Sequence, residues 1–171
     1  MKSGYQNSEI AYIALGSNKG NREENLSKAV EKIGLDSRCS ILEKSPVYET
    51  KPFGNVEQGN FLNAVISINT DYWLKELFRF LKRTETELGR IKTEKWGPRE
   101  IDLDLLFFGK MIYSDFELII PHSGILNRDF VIVPLREIAP DFIIPEKEIK
   151  ITDIDLDKIE KNIVSRTDHK L

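Results

Sequence analysis

Two aspartates, Asp102 and Asp104, are separated by one residue in a run that reads as a strand, 101–108. Side chains two positions apart on a strand point to the same face of its sheet. Two adjacent carboxylates repel each other when both are ionised, and a bound divalent cation offsets this repulsion. Leu106 and Phe108 continue this face as apolar core, which places the acidic pair at the beginning of the strand. The pair predicts a Mg²⁺ site that leaves coordination positions for phosphate oxygens and water. The alternative is two solvated aspartates without a metal.

A cationic segment comes just before the acidic pair and contains Arg90, Lys92, Lys95 and Arg99. A metal and several basic side chains together suit a polyphosphate, because each neutralises different oxygens. Trp96 lies in the same segment, where an aromatic ring needs a partner such as a nucleotide base or another flat ligand. We therefore predict transfer of a phosphate group from a nucleotide, against the alternative of a solvated basic loop.

Three other polar side chains are candidates for the site because of where they fall in the predicted helices, strands and loops. Glu85 falls on the apolar stripe of a predicted helix, where it either extends to solvent at the helix end or lines a site. Asn63 and Phe61 share one face of a strand, and an aromatic ring beside a carboxamide can hold a flat heterocycle. His122, which follows Pro121, is either structural or part of the site.

The elements alternate in a recognisable order, strand, helix, strand, strand, helix, strand, at about 10–15, 21–34, 38–49, 60–69, 73–88 and 101–108. Asn21 is the expected N-cap of the first helix and Gly34 its expected end. A short strand near 111–113 is expected to pair with 101–108. Residues 127–138 resemble a short helix interrupted by Pro134.

This order predicts an α+β, ferredoxin-like fold, with an antiparallel sheet, helices on one of its faces, and additional short strands and helices on the C-terminal side. Residues 1–8 are expected to be a disordered lead-in. Residues 9–171 are expected to form a single domain, with a peripheral tail from about residue 146.

Composition limits the class of protein. The 171 residues carry a net charge of −3, which disfavours general nucleic-acid binding. Cys39 is the single cysteine, and no apolar stretch approaches a signal core or a membrane span. We expect a cytoplasmic, monomeric protein that acts on small molecules. The glycine-containing run 16–20 does not match a Walker-type phosphate loop.

Several motifs occur together in one order: Ala14-Leu15-Gly16-Ser17-Asn18, Phe61-Leu62-Asn63-Ala64, Gly89-Arg90, Trp96-Gly97-Pro98-Arg99 with Ile101-Asp102-Leu103-Asp104, and Pro121-His122 with Arg128 and Phe130. Over roughly residues 10–145, the chain resembles the 6-hydroxymethyl-7,8-dihydropterin pyrophosphokinase family. The run W-G-P-R-x-x-D-L-D is far more specific than the acidic pair alone.

The resemblance implies transfer of pyrophosphate from ATP to the hydroxymethyl group of the dihydropterin in folate biosynthesis, with AMP as the second product. It implies that Asp102 and Asp104 bind two Mg²⁺ ions and that Arg90 and Arg99 stabilise the transferring group. The implied ATP contacts are Glu85, Lys92, Trp96, Arg99, His122 and Arg128. The implied pterin contacts are Thr50, Pro52, Phe53, Phe61, Asn63, Trp96, Asp102 and Phe130, with Phe61 and Phe130 on either side of the ring.

The chain departs from the family at two positions. Lys82 stands where many members have glutamine, and Ser123 stands where some have tyrosine. Two other functions remain as alternatives. A nucleotidyltransferase also combines Gly-Ser with an acidic pair, but there the two motifs usually lie close together. A non-catalytic ferredoxin-like module that binds RNA or protein is the other.

Overall fold

A computed structural model describes residues 8–54, 57–91 and 97–171. The predictions for Lys92 and Trp96, and those for residues 1–7, lie outside these ranges. The strands are β1 (Glu9–Ser17), β2 (Cys39–Lys44), β3 (Tyr48–Thr50), β4 (Phe61–Thr70), β5 (Asp102–Phe108), β6 (Tyr113–Ser114), β7 (Ile119–Ile120), β8 (Ile143–Ile144), β9 (Ile149–Lys150) and β10 (Ile163–Arg166). The α-helices are α1 (Arg22–Leu35), α2 (Leu74–Glu87) and α3 (Asp129–Ile138).

The main sheet has the order β10-β3-β4-β1-β5, with β2 also paired to β4, and its pairings are antiparallel. Its central part, β5-β1-β4 followed by β2 and β3, is the arrangement expected of a ferredoxin-like core. The predicted fold class is therefore confirmed.

The predicted strand at 38–49 is divided in two at Pro46, which has no N–H to donate to a ladder. Ser45 bridges the gap, since its backbone N–H donates to Val65 O at 2.9 Å and its Oγ accepts from Val65 N at 2.9 Å. Both halves, β2 and β3, consequently stay paired with β4.

Helix α1 begins as predicted, because the side chain of Asn21 accepts a hydrogen bond from the N–H of Glu24 at 3.2 Å. The predicted end at Gly34 is wrong, since the helix continues to Leu35. A Cβ on Gly34 would lie 3.4 Å from Ile41 Cγ1, an ordinary van der Waals contact, so this position faces β2 and does not require glycine.

Both faces of the sheet are covered. Helices α1 and α2 pack on one face around Leu62, Ala64, Ile66 and Ile68, whereas α3 and C-terminal segments pack on the other around Val65 and Leu106. The prediction of helices on one face was thus incomplete, because both sides of β4 are apolar. A register shift at Tyr12/Ile13 also places Phe107, instead of Phe108, in the same cluster as Leu106.

The C-terminal side departs from the expected local structure. Strand β6 pairs with β7 and not with β5, because Asp115 organises the turn by accepting from the N–H groups of Glu117 and Leu118, each at 2.9 Å. Helix α3 contains Pro134 without interruption.

The tail is more integrated than expected. Strand β10 joins the main sheet beside β3, and Ile151 and Ile159 are buried in the cluster under α3. The prediction of a peripheral tail is wrong for these residues. The tail has few apolar side chains, but Ile151 and Ile159 point into the core. Within the described residues, no helix combines the length and apolar character that crossing a bilayer requires.

Candidate active site

Three strand ends meet at one end of the sheet. Gly16, near the end of β1, is opposite Asn63 near the start of β4 and opposite Asp102 at the start of β5. The antiparallel order brings these residues together although they are distant in the sequence. Asn63 and Asp102 therefore flank a glycine, which leaves open space between them.

A pocket opens at this end of the sheet and collects most of the predicted residues. It is lined by Ala14, Leu15, Gly16, Thr50, Lys51, Phe53, Gln58, Phe61, Asn63, Gly97, Arg99, Asp102, Asp104, Leu106, Arg128, Phe130 and Val131. The predicted pterin contacts in the described ranges all belong to this lining except Pro52. Arg99, Asp104 and Arg128, assigned to the phosphate or nucleotide side, line the same pocket.

One wall of the pocket combines a carboxamide with aromatic rings. The Nδ2 of Asn63 donates to Thr50 Oγ1 at 2.7 Å, and both residues are buried. The rings of Phe53 and Phe130 are in edge contact, with centroids 6.2 Å apart. The guanidinium of Arg128 lies 5.3 Å from the centroid of Phe53, which can restrain both side chains.

Asp102 is held between two arginines. Arg90 Nη1 lies 2.7 Å from its Oδ1, and Arg99 Nη1 contacts its Oδ2. Burial acts to raise the pKa of Asp102, but the positive charges of Lys82, Arg99 and Arg90 outweigh it and lower the pKa below its ordinary value. Asp102 is therefore a stable anion that faces the pocket.

Glu85 lies below this pair and is 3% exposed. Its Oε1 accepts from Lys82 Nζ at 2.8 Å and from the N–H of Leu103 at 2.7 Å, and its Oε2 contacts Arg90. Burial raises the pKa of Glu85, and Lys82 opposes this increase. These partners explain why Glu85 lies on the apolar stripe of α2: its carboxylate holds Lys82 and Arg90 beside β5. It lines neither of the two pockets described here.

A second cleft lies on the other side of Asp104. It has an apolar wall and several polar groups, and is lined by Phe78, Lys82, Asp104, Leu105, Asp115, Phe116, Glu117, Leu118, Ile119, His122 and Ser123. The backbone N–H of His122 donates to Leu106 O at 3.0 Å, and its Nδ1 accepts from Gly124 N at 3.1 Å. Burial lowers the pKa of His122, which favours the neutral ring. Asp104 thus separates two clefts.

The acidic pair fits a Mg²⁺ site that is completed by a ligand. Among the described residues, no group of three or more His, Cys, Asp or Glu side chains could enclose a metal. Asp104 is partly exposed, and its Oδ1 lies 3.6 Å from Lys82 Nζ. Mg²⁺ commonly binds one or two protein carboxylates together with water and phosphate oxygens. Asp102 and Asp104 would supply the two carboxylates.

Sequence reasoning did not assign several residues of these two pockets to the site, among them Lys82, Gly16 and Gln58. Lys82 was noted only as a departure from the family, although it contacts Glu85 and Asp104. Gly16 and Gln58 also line the first pocket. The available signal for Gly16 was its position directly after the predicted strand at 10–15, whereas the position of Gln58 depends on tertiary packing.

Comparison with known proteins identifies the family. The model of the 7,8-dihydro-6-hydroxymethylpterin-pyrophosphokinase (HPPK) family matches residues 12–140. The chain belongs to the HPPK family. It is 42% identical over 139 residues to the 2-amino-4-hydroxy-6-hydroxymethyldihydropteridine pyrophosphokinase of Haemophilus influenzae, covering 81% of this chain and 87% of that protein. It is also 42% identical over 130 residues to the Bacillus subtilis protein of the same name, covering 76% and 78% of the two chains.

Solved structures agree with this HPPK assignment at the level of fold. A crystal structure of wild-type Plasmodium falciparum HPPK-DHPS with pteroate superposes with a TM-score of 0.69 at 14% identity. The match covers 86% of this chain and 42% of that longer one, so this chain spans less than half of the Plasmodium protein.

Proposed function

We propose that this HPPK-family chain transfers the pyrophosphoryl group of ATP to the hydroxymethyl group of 6-hydroxymethyl-7,8-dihydropterin, with release of AMP. The observation that carries the proposal is the position of Asp104, which lines both the Asn63 pocket and the His122 cleft. One acidic group can thereby act on a phosphate chain that extends between two bound substrates. The family relationship supports the same reaction.

The first pocket suits a pterin. Because Asn63 donates through Nδ2 to Thr50, its Oδ1 can accept from a ligand N–H group. A Cβ on Gly16 would lie 2.9 Å from this oxygen, so glycine keeps the space beside it free. Phe53, Phe61 and Phe130 supply aromatic surface for a flat ring. In this proposal, Phe61 and Phe130 stack on the pterin.

The charged cluster suits a Mg²⁺-bound triphosphate. Three carboxylates (Glu85, Asp102, Asp104) are matched by three cations (Lys82, Arg90, Arg99) through short contacts. We assign Asp102 and Asp104 as ligands of two Mg²⁺ ions, which when bound would neutralise charge on the phosphate oxygens. Arg90 and Arg99 would then turn from Asp102 toward the phosphates.

In the proposed reaction, the pterin alcohol oxygen forms a bond to the β-phosphorus, the bond from this phosphorus to the α–β bridging oxygen breaks, AMP leaves, and the alcohol proton is released to solvent. The low pKa of Asp102 makes it a poor acceptor for the alcohol proton. The chain therefore contributes mainly by positioning the substrates and stabilising charge. His122, Arg128 and, by family resemblance, Lys92 and Trp96 complete the nucleotide side.

Product analysis tests this proposal. The protein is incubated with Mg²⁺, ATP and 6-hydroxymethyl-7,8-dihydropterin, and the products are identified by ³¹P NMR and mass spectrometry. AMP and a pterin diphosphate are expected in equal amounts. Formation of ADP with a pterin monophosphate, or of free pyrophosphate with unchanged pterin, would contradict the assignment.

A further inference from the structure

We propose that Asp129 and the tail residues Asn162 and Ile163 position the two walls of the pterin pocket. The inference rests on the proposed function. Asp129 is the first residue of α3 and is not itself part of the pocket lining, but both of its neighbours in the sequence, Arg128 and Phe130, are. The family model ends at residue 140, so the tail belongs to a part of the chain outside the matched segment.

Asp129 is bound to the tail through backbone groups. Its Oδ2 accepts from Asn162 N at 2.8 Å and from Ile163 N at 2.9 Å. The carboxylate is 3% exposed and Asn162 is 2% exposed, so solvent competes little with these bonds. Hydrogen bonds to a charged group are stronger than bonds between neutral groups.

The same tail residues are bound to the opposite wall. The carbonyl of Asn162 accepts from Lys51 N at 2.8 Å, and Ile163 is paired with Thr50 in the sheet. Thr50 in turn accepts from Asn63. Hydrogen bonds and one strand pairing thus connect Asp129 at α3, through the tail, to Asn63 in β4.

One oxygen of the Asp129 carboxylate, Oδ2, makes both bonds to the tail, whereas Oδ1 is buried and has no hydrogen-bond partner among the described residues. The carboxylate oxygen that is paired holds Arg128 and Phe130 at a fixed distance from Thr50 and Lys51.

The test compares variants by calorimetric titration of 6-hydroxymethylpterin into protein saturated with Mg²⁺ and α,β-methylene-ATP. Asp129→Ala is expected to weaken pterin binding by about tenfold, the loss of about one charged hydrogen bond. Asp129→Asn keeps an acceptor oxygen and should recover most of the affinity. Ile163→Pro removes one donor to Asp129 and should also weaken pterin binding, which keeps the test available even if Asp129→Ala does not fold.

Arg136→Ala is the matched control. Arg136 binds the same tail from the other end of α3, through its Nε to Ile151 O at 3.0 Å and through its Nη2 to Ile154 O. Its loss should lower the melting temperature but leave pterin affinity unchanged. The inference is overturned if Asp129→Ala and Ile163→Pro bind pterin like the wild type, or if Arg136→Ala weakens pterin binding equally. A wild-type protein that binds no pterin would instead refute the proposed function.

Discussion

Gly16 and Asn63 face each other across the β1–β4 ladder, and a methyl group on Gly16 would lie 2.9 Å from Asn63 Oδ1. Gly16→Ala should therefore displace the Asn63 side chain from its bond to Thr50. We expect the Kd for 6-hydroxymethylpterin to increase about tenfold or more, since one hydrogen bond and its alignment are lost. Calorimetry with the ATP analogue present measures this change.

Gly34→Ala is the control for this substitution. Gly34 lies inside α1, where alanine is favoured over glycine by about 1 kcal/mol, and its new Cβ would meet Ile41 at 3.4 Å. We expect unchanged pterin affinity. An equal loss of affinity in both variants would show that the effect of Gly16→Ala is not local.

Lys82→Met tests the lysine that distinguishes this chain. The substitution removes the Nζ bonds to Glu85 and to Leu103 O, each 2.8 Å long, and leaves a buried carboxylate with less compensation. We expect a decrease of about 1–3 kcal/mol in the free energy of unfolding, measured with urea, and weaker binding of the Mg²⁺–ATP analogue.

Arg83→Met serves as its comparison. Arg83 is on the same helix and is largely exposed, with a 3.7 Å ion pair to Glu87. Solvated pairs contribute about 0–1 kcal/mol, so both the stability and the nucleotide affinity should stay near wild type. If Lys82→Met behaved like Arg83→Met, Lys82 would have no part in the cluster.

Asp104→Ala should abolish Mg²⁺-dependent turnover, with a reduction of about a hundredfold or more, because Asp104 borders both clefts. Titration of Mg²⁺ against binding of α,β-methylene-ATP gives a second measurement that does not depend on catalysis. Asp141→Ala, at a largely exposed position paired with Lys150, should leave both measurements unchanged. Wild-type Mg²⁺ dependence in Asp104→Ala would exclude Asp104 from the metal site.

Stability at high pH should depend on Tyr48, whose hydroxyl donates to Glu137. Burial, and then the bond to the Glu137 carboxylate, raise the pKa of Tyr48 from 10.0 to about 12. A raised pKa stabilises the folded state below the unfolded value, and this stability is lost as the pH rises from 10 to about 12.

Urea denaturation of the wild type and Tyr48→Phe at pH 8 to about 12 checks this sign, because the phenylalanine variant cannot titrate at this position. The difference in unfolding free energy between the two proteins should shrink above pH 10. A constant difference across this range would contradict the raised pKa.

Much of the fold could be predicted because its signals are local. The alternation around Leu62, Ala64 and Ile66 identifies β4, and Asn21 marks the start of α1. Gly34 was misread because a glycine in the last turn of a helix has the same local sequence pattern as a glycine that ends the helix. The tail was misread because backbone pairing of β10 with β3 needs no apolar pattern.

The candidate site could be predicted where residue type and order were specific, as at Asp102, Arg99 and Asn63, which line one pocket. Contacts of Lys82 with Glu85 and Asp104 could not be predicted, because they depend on how α2 packs against β5. The same holds for Asp129, whose partners come from a segment more than 30 residues away. Such contacts follow only from the tertiary arrangement.

Strand β5 lies at one end of the main sheet, so one side of its backbone has no neighbouring strand in the part of the chain that the structure describes. At Leu103, the Glu85 carboxylate takes the free N–H and the Lys82 ammonium takes the free carbonyl. A foreign chain adding to this edge would have to displace a buried ion pair before it could form a ladder. We therefore expect the charges next to the acidic pair to hinder self-association by strand addition as well, so that a neutral Lys82 variant aggregates more readily during refolding, as measured by light scattering.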